Sequence, residues 1–161
     1  MAQQIQICDV KPNLVTLPHC KNTINVQHLQ HGTVFVRPRD LQLEGNWMKQ
    51  DTFIELLESF KFKVSGKCQL RRGEGPYVGH FVVGLSKDHN MGKLKIKKSP
   101  PEEEFEEDLT GHSSGMMIPI AMGICDDEYV QFSLTSAEHH WKLQKGLIIY
   151  GVTFTPVKMN N

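Results

Sequence analysis

From Phe60 onward, apolar and polar residues alternate along this chain. Phe60, Phe62, Val64, Cys68 and Leu70 are interleaved with Lys61, Lys63, Ser65, Lys67 and Gln69, the two-residue period of a half-buried strand with a basic outer face. After a turn at Arg72-Gly73-Glu74-Gly75-Pro76, the segment Tyr77–Leu85 reads as a second strand, with Tyr77, Phe81, Val83 and Leu85 on one face. Leu94 and Ile96, set between Lys93, Lys95 and Lys97, form a third and narrow one. Met116, Ile118, Ile120, Met122 and Ile124 alternate next, and Pro119 within that run predicts an edge strand or a bulge, because proline cannot donate to a ladder. Val130, Phe132 and Leu134 follow, and the final run, Leu147–Thr155, is apolar on both faces.

The first third is broken into shorter pieces. Leu14–Leu17, Ile24 with Val26, and Thr33–Val36 read as brief strands ended by polar residues or proline. One segment reads as a helix, near 52–60. Thr52 and Glu55 have capping-box spacing, and Phe53, Leu56, Leu57 and Phe60 recur at i, i+3, i+4 and i+7, with Trp47 expected to pack beside them. The count of eight or nine strands, one short α-helix and closely spaced turns predicts an all-β, single-domain β-sandwich or barrel over 1–161.

Composition fits that reading. The chain has 161 residues, 39 % hydrophobic and 22 % charged, enough for one enclosed core. No run approaches the roughly 18 apolar residues of a membrane helix, and Met1–Val10 lacks the basic-then-apolar order of a signal peptide. The expectation is an intracellular protein, cytoplasmic or nuclear, with no membrane. Cys8, Cys20, Cys68 and Cys125 are scattered and form no C-x-x-C pair, which predicts free thiols.

Eighteen Lys and Arg balance eighteen Asp and Glu, but unevenly. Ten basic residues stand against two acids between Lys61 and Lys98. Glu102, Glu103, Glu104, Phe105, Glu106, Glu107 and Asp108 then form an acidic run behind Ser99-Pro100-Pro101, expected as a mobile loop over about 99–115 and as a candidate partner-binding segment. If the lysine-faced strands share a sheet, Lys61, Lys63, Lys67, Arg71, Arg72, Lys93, Lys95 and Lys97 form a candidate surface for nucleic acid or another polyanion. Lysines also guard solvent-facing strands against edge pairing, so a merely solvated face is the competing reading.

The other motifs are weaker. Gly111-His112-Ser113-Ser114-Gly115 matches G-x-S-x-G, but a nucleophile elbow needs a strand before it and a helix after, and here an acidic run precedes and a strand follows. Gly73-Glu74-Gly75 with Gly79 precedes a strand and reads as a hairpin turn, not a phosphate loop. His28-x-x-His31 has the tight spacing of a zinc-ligand pair, but Cys8 and Cys20 form no second pair, and the spacing of His19, Cys20, His28 and His31 is not specific enough for a structural zinc site; His139-His140 beside Glu138 is a thinner candidate. No catalytic residue, metal or cofactor is expected.

The order of short strands, one helix and further strands closed by an apolar strand resembles the single jelly-roll of small viral capsid proteins. Phe62–Leu70, a turn and His80–Leu85 resemble the strand pair of plant-virus movement proteins of the thirty-kilodalton superfamily. The resemblance implies a jelly-roll-like, non-enzymatic viral protein that binds nucleic acid or assembles; the chain lacks the highly basic arm of a genome-packaging subunit. The expected function is a binding or assembly module with a nucleic-acid, protein or self-associating partner. The alternatives are a homo-oligomeric structural protein, and an enzyme using the His-rich N-terminal region or Ser113.

Overall fold

A computed structural model describes residues 32–71, 76–138 and 141–157, together with the backbone of three short N-terminal strands, β1 (Gln6–Ile7), β2 (Leu14–Thr16) and β3 (Thr23–Asn25). The remaining strands are β4 (Val34–Val36), β5 (Gln42–Glu44), β6 (Trp47–Lys49), β7 (Ile54–Leu56), β8 (Lys63–Gln69), β9 (Tyr77–Leu85), β10 (Lys93–Ser99), β11 (Glu103–Asp108), β12 (Ile118–Cys125), β13 (Tyr129–Ser136) and β14 (Leu147–Pro156). The protein is an all-β sandwich of two sheets, with β2 and β3 paired separately as an antiparallel hairpin.

The first sheet is organised around β14. Along one edge β14 pairs with the whole of β9, which pairs in turn with β12. Its other edge is shared: Ile148 and Ile149 pair with β7, and Val152–Phe154 pair with β4. The change of partner is accompanied by a register shift between Ile149 and Gly151. Gly151 sits there at φ +144°, and a Cβ on it would lie 2.6 Å from the Phe35 ring, so only glycine fits. Leu147–Phe154 are all buried, as expected for a strand covered on both faces.

The second sheet runs β11-β10-β13-β8-β5, antiparallel throughout. Its inward residues follow from the alternation. Val64 and Cys68 of β8, Leu94 and Ile96 of β10, and Val130, Phe132 and Leu134 of β13 join Phe81, Val83, Ile120, Met122, Ile149, Val152 and Phe154 of the first sheet in one core. Phe132 meets Phe81 edge-on at 5.5 Å and Phe154 at 5.7 Å, which locks the two layers together.

Two expectations need correction. The segment 52–60 is not a helix: Ile54–Leu56 is strand β7, paired with β14 and with β6. The supposed stripe goes three ways, with Leu56 in the main core, Phe53 in a separate cluster with Phe35, Ile148 and Tyr150, and Leu57 and Phe60 exposed. Period-two burial of Ile54 and Leu56, stitched to the central strand, outweighs a local helix pattern. Trp47 packs instead on Phe62, edge-on at 5.9 Å. The acidic run is also ordered structure in part. Glu103–Asp108 is strand β11, an edge strand paired with β10, because its carboxylates face lysines across the ladder. Pro119 lies, as expected, in a strand at a sheet edge, and β12 carries a bulge between Ala121 and Ile124.

Candidate functional site

Residues pointing out of the second sheet form a continuous polar lattice. The register places Glu104, Lys97, Ser133, Ser65 and Gln42 in one row across β11, β10, β13, β8 and β5. The neighbouring row is Glu106, Lys95, Thr135, Lys63 and Glu44, and on the other side Ser99, Gln131 and Lys67 line up.

Part of this lattice is concave. A groove of about 760 Å³ is floored by Gln42, Lys63, Ser65, Lys67, Lys97, Ser99, Gln131 and Ser133, with Asp40 and Glu102 among its lining residues. Asp40 belongs to the 3-10 turn Pro38–Asp40 just before β5, and Glu102 to the turn between β10 and β11. The two acids therefore stand at opposite ends of the row through Lys67, Gln131 and Ser99. Asp40 also lies 3.9 Å from the Arg37 guanidinium.

The structure distributes the expected cationic surface unevenly. Lys63, Lys67, Lys93, Lys95 and Lys97 do share one sheet face. Lys93, Lys95 and Lys97 lie opposite Asp108, Glu106 and Glu104 of β11, and Glu104 is within 3.7 Å of Lys95 and 3.9 Å of Lys97. The lysine row and the acidic run, separate candidates in the sequence, thus form one hairpin that cancels much of its own charge. Glu104, Glu106 and Asp108 share the lysine face, whereas Glu103, Phe105 and Glu107 sit in register with Lys98, Ile96 and Leu94, on the side facing the first sheet; Phe105 packs against the core there. Lys61 is exposed in the loop before β8, and Arg71 follows it with its backbone N–H donating to the Tyr77 hydroxyl. Arg72 lies outside the described residues.

Lys98 was not singled out in the sequence, since its neighbours are all outward. Its side chain is fully buried, and Nζ donates to the Ile124 carbonyl at 2.6 Å and meets Glu103 Oε1 at 2.6 Å. The signal was available in the alternation itself, because Leu94, Ile96 and Lys98 share one parity.

Among the described residues, no group of three or more His, Cys, Asp or Glu is placed to hold a metal ion. The clusters at His19–His31 and His139-His140 lie outside the described residues. Gly111 and Gly115, both at positive φ, bound a turn ahead of β12. Ser113 is exposed in it with no helix behind to aim backbone donors, so the elbow geometry is missing. No described helix is long and apolar enough to cross a membrane.

Two facing antiparallel sheets with a polar groove on one outer face define a jelly-roll-like β-sandwich. No protein-family model matches the sequence, and no curated protein sequence does. Solved structures do resemble the fold. A GH26-CBM35 β-(1,4)-mannanase from Podospora anserina is 11 % identical over 81 % of this chain, with a TM-score of 0.53; this chain spans 29 % of that protein's length. The C-terminal CBM6 of LamC, a marine laminarinase from Zobellia galactanivorans, is 14 % identical over 76 % of this chain and 98 % of its own, with a TM-score of 0.47. The CBM36-1 domain of a multidomain xylanase from the hindgut metagenome of Trinervitermes trinervoides is 11 % identical over 79 % and 99 %, also at 0.47. At such identities the mannanase likeness establishes a shared sandwich fold and nothing more. It matches the jelly-roll-like part of the sequence resemblance and adds nothing to the viral part.

Proposed function

We propose that this chain is a non-catalytic binding domain that holds a carbohydrate in the groove of its second sheet. The observation carrying the reading is the groove's chemistry. Hydroxyls of Ser65, Ser99 and Ser133, amides of Gln42 and Gln131, and lysine ammoniums converge on one concave surface. Such a surface offers donors and acceptors at close intervals, which suits a polyhydroxylated ligand whose own groups need both.

Strands β8, β13 and β10 stand between the segments bearing Asp40 and Glu102, so their backbones are about 19 Å apart at the usual inter-strand spacing of about 4.8 Å. A glycosidase pair brackets one bond with carboxyls roughly 5–9.5 Å apart. Two acids at opposite walls suit gripping a ligand from both sides better than cleaving it. The fold agrees, since the mannanase chain it resembles is named for a CBM35 module, a carbohydrate-binding module; fold alone would not carry the function.

The nucleic-acid version of the expectation loses ground to the same geometry, because β11 sets carboxylates against three of the eight cations proposed for it. Assembly through β12 has Pro119 against it, one donor fewer on that edge.

Affinity electrophoresis against a panel of soluble polysaccharides tests the reading. At least one should retard the protein, and Ser133→Tyr, which fills the groove from an outward position, should abolish the retardation while the fold remains intact by circular dichroism. Retardation undiminished in Ser133→Tyr would move the site elsewhere.

A further inference from the structure

We infer that the carbohydrate taken by this groove is anionic, its carboxylate or sulfate groups held by Lys63, Lys67 and Lys97. The inference rests on the carbohydrate reading of the same site and narrows it.

Position comes first. Lys63 and Lys67 flank Ser65 on the outward face of β8, while Lys97 stands two strands away, across Ser133. All three line the groove, so their ammoniums surround a floor of hydroxyls. Charge accounting comes second. Lys63 lies opposite Glu44 of β5 as Lys93, Lys95 and Lys97 lie opposite the acids of β11, but among the described residues neither Lys63 nor Lys67 has a carboxylate within ion-pair distance, whereas Lys95 and Lys97 have Glu104. Lys97 shares Glu104 with Lys95 and is still 56 % exposed in its side chain. Of the groove's own acids, Asp40 lies 3.9 Å from Arg37, and neither Asp40 nor Glu102 is within ion-pair distance of the three lysines.

An edge-guarding role explains this arrangement poorly. Guard lysines belong on edge strands, whereas Lys63 lies between Thr135 of β13 and Glu44 of β5, and Lys97 between Ser133 of β13 and Glu104 of β11; only Lys67 lies beyond the stretch of β8 that β5 pairs. Lys63 and Lys67 border a hydroxyl floor and make no ion pair with a described carboxylate, which leaves positive charge that a ligand can complete. A negative group spaced along a sugar chain supplies that charge while its hydroxyls meet Ser65, Ser133 and Gln131. A uronic acid and a sulfated sugar offer the same chemistry here.

Isothermal titration with polygalacturonate, a sulfated galactan, neutral mannan and single-stranded DNA, each at a low and a high salt concentration, tests this. The lysines are outward, so K63Q/K67Q/K97Q should keep the fold, with K87Q in the distant β9–β10 turn as the control. The expected result is binding to polygalacturonate, the sulfated galactan or both. It should weaken with salt and fall roughly tenfold or more in the triple variant, because three outward-facing charges that meet the ligand are removed together, with K87Q unchanged. The preferred arm tells carboxylate from sulfate. Binding to mannan that ignores both salt and the triple variant overturns the anionic inference and leaves the carbohydrate reading standing. Binding to DNA alone, or to none of the four, overturns both.

Discussion

The Lys98 ammonium lies 2.6 Å from the Glu103 carboxylate, and the two residues face each other across β10 and β11. Lys98 is fully buried while Glu103 is about half exposed. The same ammonium donates to the carbonyl of Ile124 in β12, which belongs to the other sheet. One buried charge therefore clips the open margin of the sandwich. Nearby, Phe105 packs over Gly123, whose positive φ forms the bulge in β12 and leaves room for the ring.

This asymmetry predicts unequal effects of removing either partner. Glu103→Gln leaves a buried ammonium with a carbonyl and no counter-charge. Breaking a fully buried pair costs roughly 3–5 kcal/mol; with Glu103 half in solvent, about 2 kcal/mol is expected, or a Tm lowered by roughly 4–8 °C. Lys98→Met removes the buried charge and leaves a carboxylate that water can solvate, at a cost of about 1 kcal/mol or less. Thermal melts of the two variants check this, and a larger loss for Lys98→Met would contradict it.

His80 makes the fold sensitive to mild acid. It lies on β9 opposite Ala121 and Thr153, and burial lowers its pKa from the usual 6.5. Above pH 6.5 neither the folded nor the unfolded chain holds the proton, so the contribution is constant. As the pH falls below 6.5, the unfolded chain takes up the proton first. Stability is lost until the pH passes the lowered folded value. Urea denaturation at a series of pH values should show the wild type losing more stability below pH 6.5 than His80→Gln. Parallel curves would show that His80 does not contribute.

Cys125 should be chemically quiet. Burial pushes its thiol up to about 11, an effect that Lys98 opposes and Glu103 reinforces. Only a thiolate attacks alkylating reagents at a useful rate. Iodoacetamide at pH 8 followed by peptide mass mapping should find Cys125 unmodified in the folded protein and modified after denaturation. Rapid labelling of the native form would mean that the β11–β12 margin opens.

Much of the architecture was legible from alternation. Apart from β11, the strands from Val64 to Phe154 lie where the apolar pattern places them, since one face of each is pressed into a common core; only β14 is buried on both faces over most of its length. Two segments were misread because their local patterns are ambiguous. Phe53, Leu56, Leu57 and Phe60 satisfy a helical spacing, yet Ile54 pairs with the distant Ile149 and Leu56 with Trp47 of the preceding strand, contacts that spacing cannot reveal. Glu103–Asp108 carries too little apolar character to announce a strand, and its stability comes from the lysines of β10, which the sequence displays but does not align. The groove was hidden for a related reason. Ser65, Gln131 and Ser133 are ordinary outward residues singly, and become a site only when the register of β8 and β13 sets them side by side.

Two-dimensional NMR of the isotopically labelled protein, titrated with the polysaccharide fragment that binds most tightly, tests the groove assignment directly. Amide shifts should concentrate at Gln42, Ser65, Lys67, Gln131 and Ser133 on the outer face of the second sheet. Shifts concentrated instead on the exposed loop residues Phe60, Trp141 and Leu143 would place the binding surface at the end of the sandwich and contradict the account.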